Sequence, residues 1–316
     1  MNATLEPSVE TALFRADVLQ GLARPQKRIP SKYFYDAAGS KLFDRICELD
    51  EYYPTRTELG IMRAHAPEMA ERCGPKCQLI ELGAGSLMKV RLLLDRLDRP
   101  AGFVPVDVSG EHLESSADEL RDEYPNLDVQ PVSADFTADF AMPARACSRR
   151  VVYFPGSTLG NFDPAEADDL LRRIARLVGP GGGLLLGVDL RKDRRVLEAA
   201  YNDALGVTAA FNRNLLARID RELGADFDPD SFRHRAFYNA AHSRIEMHLV
   251  SASDRRVRIG ETAIRFRRGE TIHTENSHKY DTGELARRAA ACGLRTDATW
   301  TDAQRYFAVM YLTATG

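Results

Sequence analysis

From residue 78 onward, short apolar runs alternate with amphipathic stretches, and this alternation constrains the fold more than any other feature. "CQLIELG", "GFVPVDVS", "LDVQPVSADF", "RRVVYFPGS" and "GGGLLLGVDL" read as strands with glycines or acids at their ends. Between them, "MKVRLLLDRL", "EHLESSADELRDEY" and "PAEADDLLRRIARLV" carry apolar residues at helical spacing. Strands that alternate with helices pair in parallel through right-handed crossovers, which predicts an open, doubly wound α/β sheet. Near the end the order changes. "TGELARRAAACGL" predicts a helix stopped at Gly293, and "LRTDATWTDAQRYFAVMYLTA" predicts two strands joined by a short turn. The last strand should therefore run antiparallel to its neighbours.

Two stretches have no place in that sheet. Residues 1–55 carry helix-forming and aromatic sequence. Residues 193–280 open on the long helical pattern "DRRVLEAAYNDALGVTAAFNRNLLARIDREL" and continue with strand-like "RIEMHLVSA" and "RRVRIGETAIRF". A chain of 316 residues is long enough for two domains. The expected division is 56–192 and 281–316 for the sheet domain, with 1–55 and 193–280 forming a smaller α+β domain.

The first glycine turn, "ELGAGS", puts Gly83 and Gly85 between a strand and a helix, where bare backbone can approach a ligand. A dinucleotide fingerprint would place a third Gly or Ala at position 88, which is Met88. Asp107 ends the next strand, where a carboxylate can accept from both ribose hydroxyls. Asp135 and Phe136 end the strand after that, an acid for an adenine amine and a ring to stack on it. A sheet closed by an antiparallel hairpin is the pattern of S-adenosylmethionine-dependent methyltransferases of the Rossmann-like type. A nicotinamide oxidoreductase is the alternative, disfavoured by Met88 and by the hairpin. A non-catalytic S-adenosylmethionine-binding module also stays open at this point.

Charge and cysteines narrow the rest. A formal net charge of −3 does not favour a polyanionic partner, and the basic clusters "RRVR" and "RFRR" have acidic surroundings. Five scattered cysteines lack the paired spacing of a zinc site and read as reduced thiols in a cytoplasmic protein. The opening "MNATLEPSVETALFRADVL" is polar and acidic, unlike a leader peptide, and no apolar run is long enough for a membrane span. His273 and His278 would need a third ligand to hold a metal, and none is evident, so no metal is expected.

Taken together, "IPSKYFYDAAGSKLFDRICELDEYYPTRTE", "ELGAGSLMKVRLLLD", "FPGSTLGNF", "AAYNDALGVTAAFN", "IEMHL" and "TENSHKY" resemble the histidine-specific Nα-methyltransferases of ergothioneine biosynthesis. The resemblance runs from about residue 29 to the C-terminus. It implies S-adenosylmethionine as cofactor, free L-histidine as substrate, trimethylation of its α-amine to hercynine, and a separate substrate-binding domain. N-methylation of another amino acid or small amine is the nearest alternative.

Position by position, the resemblance implies cofactor contacts at Tyr35, Gly83, Lys89, Asp107, Asp135 and Phe136. It implies that Asn161, with Gly156 in the same loop, holds the amino-acid end, and that Tyr52 and Tyr201 bind the carboxylate. Glu275 and Ser277 would read the imidazole, beside Met247. Tyr52, Asn161 and Tyr201 are the residues it makes catalytic, by positioning. The chemistry agrees with those types: a carboxamide both donates and accepts, and an ionised carboxylate only accepts. Residues 87, 88 and 90 are usually more polar in that family. Asn276 should point away from the site if Glu275 and Ser277 point in. Partners beyond histidine are not expected, whether nucleic acid, membrane or a second subunit.

Overall fold

The glycine-bounded runs do become neighbours in one sheet. The fold is that of a computed structural model describing residues 9–85 and 87–316; the opening eight residues, on which part of the leader reading rests, and Ser86 of the glycine turn lie outside them. In chain order the strands are β1 (Lys27–Arg28), β2 (Gln78–Leu82), β3 (Gly102–Asp107), β4 (Val132–Ser133), β5 (Arg150–Phe154) and β6 (Gly183–Asp189). There follow β7 (Phe232–Asn239), β8 (Arg244–Ser251), β9 (Arg255–Ile259), β10 (Thr262–Phe266), β11 (Thr271–His278), β12 (Leu294–Thr301) and β13 (Phe307–Ala314).

The chain divides into two compact units. The first runs to Tyr52 and resumes over Arg194–Ala241 and Ile245–Asn276; the second comprises Tyr53–Asp193, His242–Arg244 and Ser277–Gly316. The second unit holds a seven-stranded sheet in the order β12-β13-β6-β5-β2-β3-β4. β2, β3, β4, β5 and β6 are parallel, while β13 runs antiparallel to both β6 and β12. Strands β2 and β6 are buried at every position, as strands covered on both faces must be. Their side chains pack into two apolar layers, one around Leu79, Phe103 and Val151, the other around Ile80, Val152 and Leu186.

The first unit pairs its strands in the order β1-β11-β8-β7, with β9 and β10 as a separate hairpin. The long helical pattern of the insert is broken in two, Arg194–Ala199 and Val207–Leu223. Asp203 explains the break: its carboxylate accepts from the backbone N–H groups of Val207 and Thr208, both at 2.8 Å, capping the second helix. Tyr201 therefore stands in the turn between the helices. Strand β11 reads as polar, yet Thr274 and Asn276 on one of its faces are buried. Thr274 Oγ1 donates to Asn212 Oδ1 (2.8 Å) on the helix Val207–Leu223, so that face is packed although it is not apolar. Asn276 does lie on the strand face opposite Glu275 and Ser277, but that face is interior rather than solvent-facing.

No helix among the described residues is long and apolar enough to cross a membrane.

Candidate active site

The residues singled out by sequence fall into two groups. Tyr35, Tyr52, Tyr201, Met247 and Glu275 belong to the first unit; Gly83, Lys89, Asp107, Asp135, Phe136, Gly156, Asn161 and Ser277 belong to the second.

In the second unit, the glycine turn follows β2, and Asp107 and Asp135 stand at or just beyond the ends of β3 and β4, the next two strands of the sheet. Gly83 adopts a left-handed φ of 73°, and a side chain built there would meet only the Phe136 ring, at 3.7 Å. A side chain on Gly85 would meet nothing within 4 Å. Asp107 Oδ1 accepts from the Ser109 N–H (2.8 Å), and Asp135 Oδ1 from the Thr137 N–H (2.9 Å), which fixes both carboxylates at the strand ends. The Phe136 ring is held edge-on by Phe154 and Phe162. Open backbone, two oriented acceptor carboxylates and a clamped ring are the groups and shape that could receive an adenosine.

Lys89 does not stand alone. Its ammonium pairs with Glu58, a fully buried carboxylate that also accepts from the Gly156 N–H at 3.1 Å. Glu58 thus ties the helix after the glycine turn to the loop after β5. Sequence reasoning missed it because its partners lie 31 and 98 residues away.

That second loop is built tightly. Gly156 and Ser157 both take left-handed φ values, 74° and 61°. The Ser157 hydroxyl accepts from the Asp189 N–H (2.9 Å), which compensates the strain at a non-glycine residue. Asn161 ends the short 3-10 turn Thr158–Asn161 and is half-buried. Gly160 is needed there: a Cβ would come to 2.8 Å from His278 O. The turn bearing Asn161 therefore presses on the end of β11, one residue from Ser277.

Beneath Ser277 lies a buried ionic group. Lys279 Nζ is 2.8 Å from Asp189 Oδ2 and donates to Ser277 Oγ at 2.7 Å. The Tyr53 hydroxyl lies 2.8 Å from each Asp189 oxygen, and Lys192 also pairs with Asp189. Burial alone would raise the Asp189 pKa, but the two ammonium groups hold it below the usual carboxylate range. Burial pushes Lys192 down to about 8 against the pull of Asp189.

In the first unit the tyrosines form an aromatic cluster. Tyr52 meets Tyr201 and Phe43 edge-on, with centroids 6.3 Å apart in each case. Tyr35 packs edge-on against Phe43 and Phe211, so it stands with this cluster rather than in the unit that carries the glycine turn. Burial, then the neighbouring Tyr201, Cys47, Tyr35 and Glu275, push the Tyr52 phenol well above its ordinary value. It stays a donor at any working pH. Met247 is fully buried, on the β8 face opposite Glu246 and His248. Glu275 is half-buried, and its carbonyl oxygen accepts from His273 Nε2 at 3.0 Å.

His273 has neighbours that its sequence context did not reveal. Glu246, His248 and His273 bring three potential ligand atoms within 4.8 Å of one another. The imidazoles of His248 and His273 are stacked, with centroids 4.6 Å apart and planes 13° apart, and Phe237 stacks on the far side of His248. Ring-nitrogen lone pairs lie in the ring planes, so two parallel stacked rings do not aim at one point. Hydrogen bonds organise the group instead: Asn239 donates to Glu246, whose other oxygen is 3.1 Å from His248 Nε2.

The family described as histidine-specific, SAM-dependent methyltransferase matches residues 14–314. A protein named Histidine N-alpha-methyltransferase from Mycobacterium tuberculosis is 43% identical over 293 residues, 91% of each chain. This chain belongs to that family. A relative of the same name from Mycolicibacterium smegmatis is also 43% identical over 91% of each chain. Ergothioneine biosynthesis protein 1 from Neurospora crassa is 28% identical over 89% of this chain and 32% of its own length. Family membership makes the chain an S-adenosylmethionine-dependent methyltransferase, and its seven-stranded sheet with antiparallel β13 the Rossmann-like methyltransferase sheet.

Proposed function

We propose that the chain trimethylates the α-amine of free L-histidine to hercynine, the opening step of ergothioneine biosynthesis. The observation that carries this reading is the family match across nearly the whole chain. In it the second unit, through Gly83, Lys89, Asp107, Asp135 and Phe136, holds S-adenosylmethionine, which supplies an electrophilic methyl group. Tyr35, of the first unit, is a further cofactor contact in this reading. The first unit also contributes Tyr52 and Tyr201, which donate to the histidine carboxylate. Asn161 and Gly156 take the amino-acid end, Glu275 accepts the imidazole N–H, and Ser277 meets the other ring nitrogen, with Met247 behind.

Methyl transfer to an amine is an in-line displacement that needs a free lone pair aimed at the methyl carbon. Alignment of this kind is worth about 7–11 kcal/mol of barrier. Protonated tyrosines suit the task because they bind the carboxylate without placing a fixed cation beside the amine. The quaternary ammonium that ends the series cannot donate a hydrogen bond, and aromatic faces attract it by roughly 0.5–2 kcal/mol. The rings of Tyr35, Phe43, Tyr52 and Tyr201 supply those faces. The same reading takes the protein as a cytoplasmic monomer acting on a free amino acid; its five cysteines are free thiols.

Mass spectrometry of the purified protein with S-adenosylmethionine and each of the twenty amino acids tests this. The expected outcome is a gain of three methyl groups on histidine alone. Methylation of another amino acid in preference to histidine would reassign the substrate.

A further inference from the structure

Tyr201 stands in the turn between two helices rather than within either. Its carbonyl oxygen is 2.8 Å from His234 Nε2, on β7. His234 Nδ1 faces Asn212 Nδ2 at 2.9 Å, and that nitrogen is also 3.2 Å from the His248 carbonyl oxygen on β8. Asn212 is fully buried, and its Oδ1 takes the Thr274 hydroxyl at 2.8 Å. A polar chain therefore runs within the first unit from Thr274 on β11, the neighbour of Glu275, to the turn that carries Tyr201.

The ends of the chain settle the direction of its hydrogens. A carbonyl only accepts, so the Asn212 atom that faces His248 is the nitrogen. An amide nitrogen only donates, so His234 Nδ1 accepts from it and the ring carries its proton on Nε2. That N–H meets the Tyr201 carbonyl, which again only accepts, and both ends agree on one tautomer. Burial lowers the His234 pKa, against the Tyr201 carbonyl and Asp203, which raise it, and Arg213 lowers it further. A neutral ring is what the chain requires, because imidazolium would set Nδ1–H against the Asn212 amide. A buried amide is costly unless its groups are met, and here they are met only with the ring in this form.

We propose that His234, set in one tautomer by Asn212, is a positioning residue that holds the Tyr201 backbone, and through it the phenol that receives the substrate carboxylate. This deepens the reading in which Tyr201 binds that carboxylate, and it rests on that reading. The turn has other holds: Asn202 Nδ2 donates to the Ala236 carbonyl at 3.2 Å, and Asp203 caps the following helix. Loss of the His234 bond should therefore shift Tyr201 rather than unfold the turn.

The test is calorimetric titration of L-histidine into the protein saturated with S-adenosylhomocysteine, with two substitutions of His234. Glutamine reaches as far as Nε2 and can still donate to the Tyr201 carbonyl. Asparagine reaches only as far as Nδ1, so it accepts from Asn212 and leaves Tyr201 unheld. His234→Asn should weaken histidine binding about tenfold and His234→Gln less than about threefold, with the affinity for S-adenosylhomocysteine unchanged in both. Tyr201→Phe should weaken it about 30-fold, as loss of a hydrogen bond to a charged group does. Added to Tyr201→Phe, His234→Asn should cost less than a further twofold or so, because it acts through the phenol already removed. Full additivity of the two losses, or a His234→Asn affinity equal to that of the wild type, overturns the positioning role while the Tyr201 reading stands. If Tyr201→Phe binds histidine as the wild type does, the carboxylate reading itself fails. The wild type supplies a second measurement: long-range proton–nitrogen NMR of nitrogen-labelled histidines at neutral pH, with His234 identified by its absence from His234→Gln. A proton on Nε2 and a bare Nδ1 are expected, and a proton on Nδ1 overturns the proposal whatever the variants do.

Discussion

In the proposed reading, side-chain selection turns on Glu275. Its carboxylate is half-buried, its strand is pinned by His273 at its own carbonyl, and an ionised carboxylate only accepts. A site built to bond a polar group leaves its own atoms unpaired with analogues that lack it, and rejects them by up to about 10⁴–10⁵. Glu275→Ala should weaken histidine binding by about 100-fold, the upper end for a charged hydrogen bond. Affinity for S-adenosylmethionine should change by less than about twofold, because Gly83, Lys89, Asp107, Asp135 and Phe136, proposed for the cofactor, lie on other elements. Calorimetry on both ligands decides it: equal losses would remove Glu275 from the histidine site.

At the scale of elements, the turn Thr158–Asn161 packs tightly against the end of β11. Gly160 brings the turn against the His278 backbone, where a Cβ would lie 2.8 Å from the carbonyl oxygen and 3.1 Å from the nitrogen. Backbone cannot give way as a flexible side chain does, so Gly160→Ala must displace the turn and Asn161 with it. Histidine turnover should fall at least tenfold in kcat/KM, since misplacement by about 1 Å can cost 10²-fold, while S-adenosylmethionine binding persists. Steady-state kinetics with both substrates varied would expose the contrary result, a loss confined to the cofactor. The elements differ in how far the sequence announced them. The parallel strands were legible because each is a short apolar block with glycine or an acid at its end. The helix Pro164–Val178 matched its expected limits because Pro164 opens it and Gly179 ends it. Strand β11 was legible only through its resemblance to a family motif, since polar Thr274 and Asn276 occupy its interior face. Glu58, Tyr53 and Lys279 were not legible at all. Each works through a partner brought close by folding: the Tyr53 hydroxyl bonds Asp189, 136 residues away. No local pattern encodes such a pair. The break at Tyr201 was hidden differently, because Leu197 and Leu205 keep a helical rhythm that the Asp203 cap interrupts.

Across the whole molecule the chain leaves the second unit after Asp193 and returns for its last strands, so neither unit is a continuous segment. Each also contains a histidine held neutral, His248 buried and His278 half-buried: burial and the adjacent His273 push His248 to about 4, and burial and Arg244 do the same to His278. An unfolded histidine takes its proton near about 6.5. Between those values the unfolded chain binds more protons than the folded one, so stability rises with pH across the interval and is lost as pH falls through it. Carboxylates with lowered pKa, such as Asp189 and Asp203, lose their contribution only at still lower pH. Glu81 acts in the opposite sense: burial raises it to about 8, so over this interval it offsets His278 in the second unit. With His248 and His278 together against Glu81, the urea midpoint by circular dichroism should still decline from about pH 6.5 to about pH 4.5, before Asp189 and Asp203 titrate. Trp300, the single tryptophan, reports on the second unit by fluorescence, while far-UV circular dichroism reports on both. Replacing His278 with Gln leaves Glu81 unopposed in the second unit, so the fluorescence midpoint should rise as pH drops over that interval. A wild-type dichroism midpoint that rises from pH 6.5 to pH 4.5 would mean that both rings are protonated in the folded state, and the stacked arrangement of His248 on His273 would have to be redrawn.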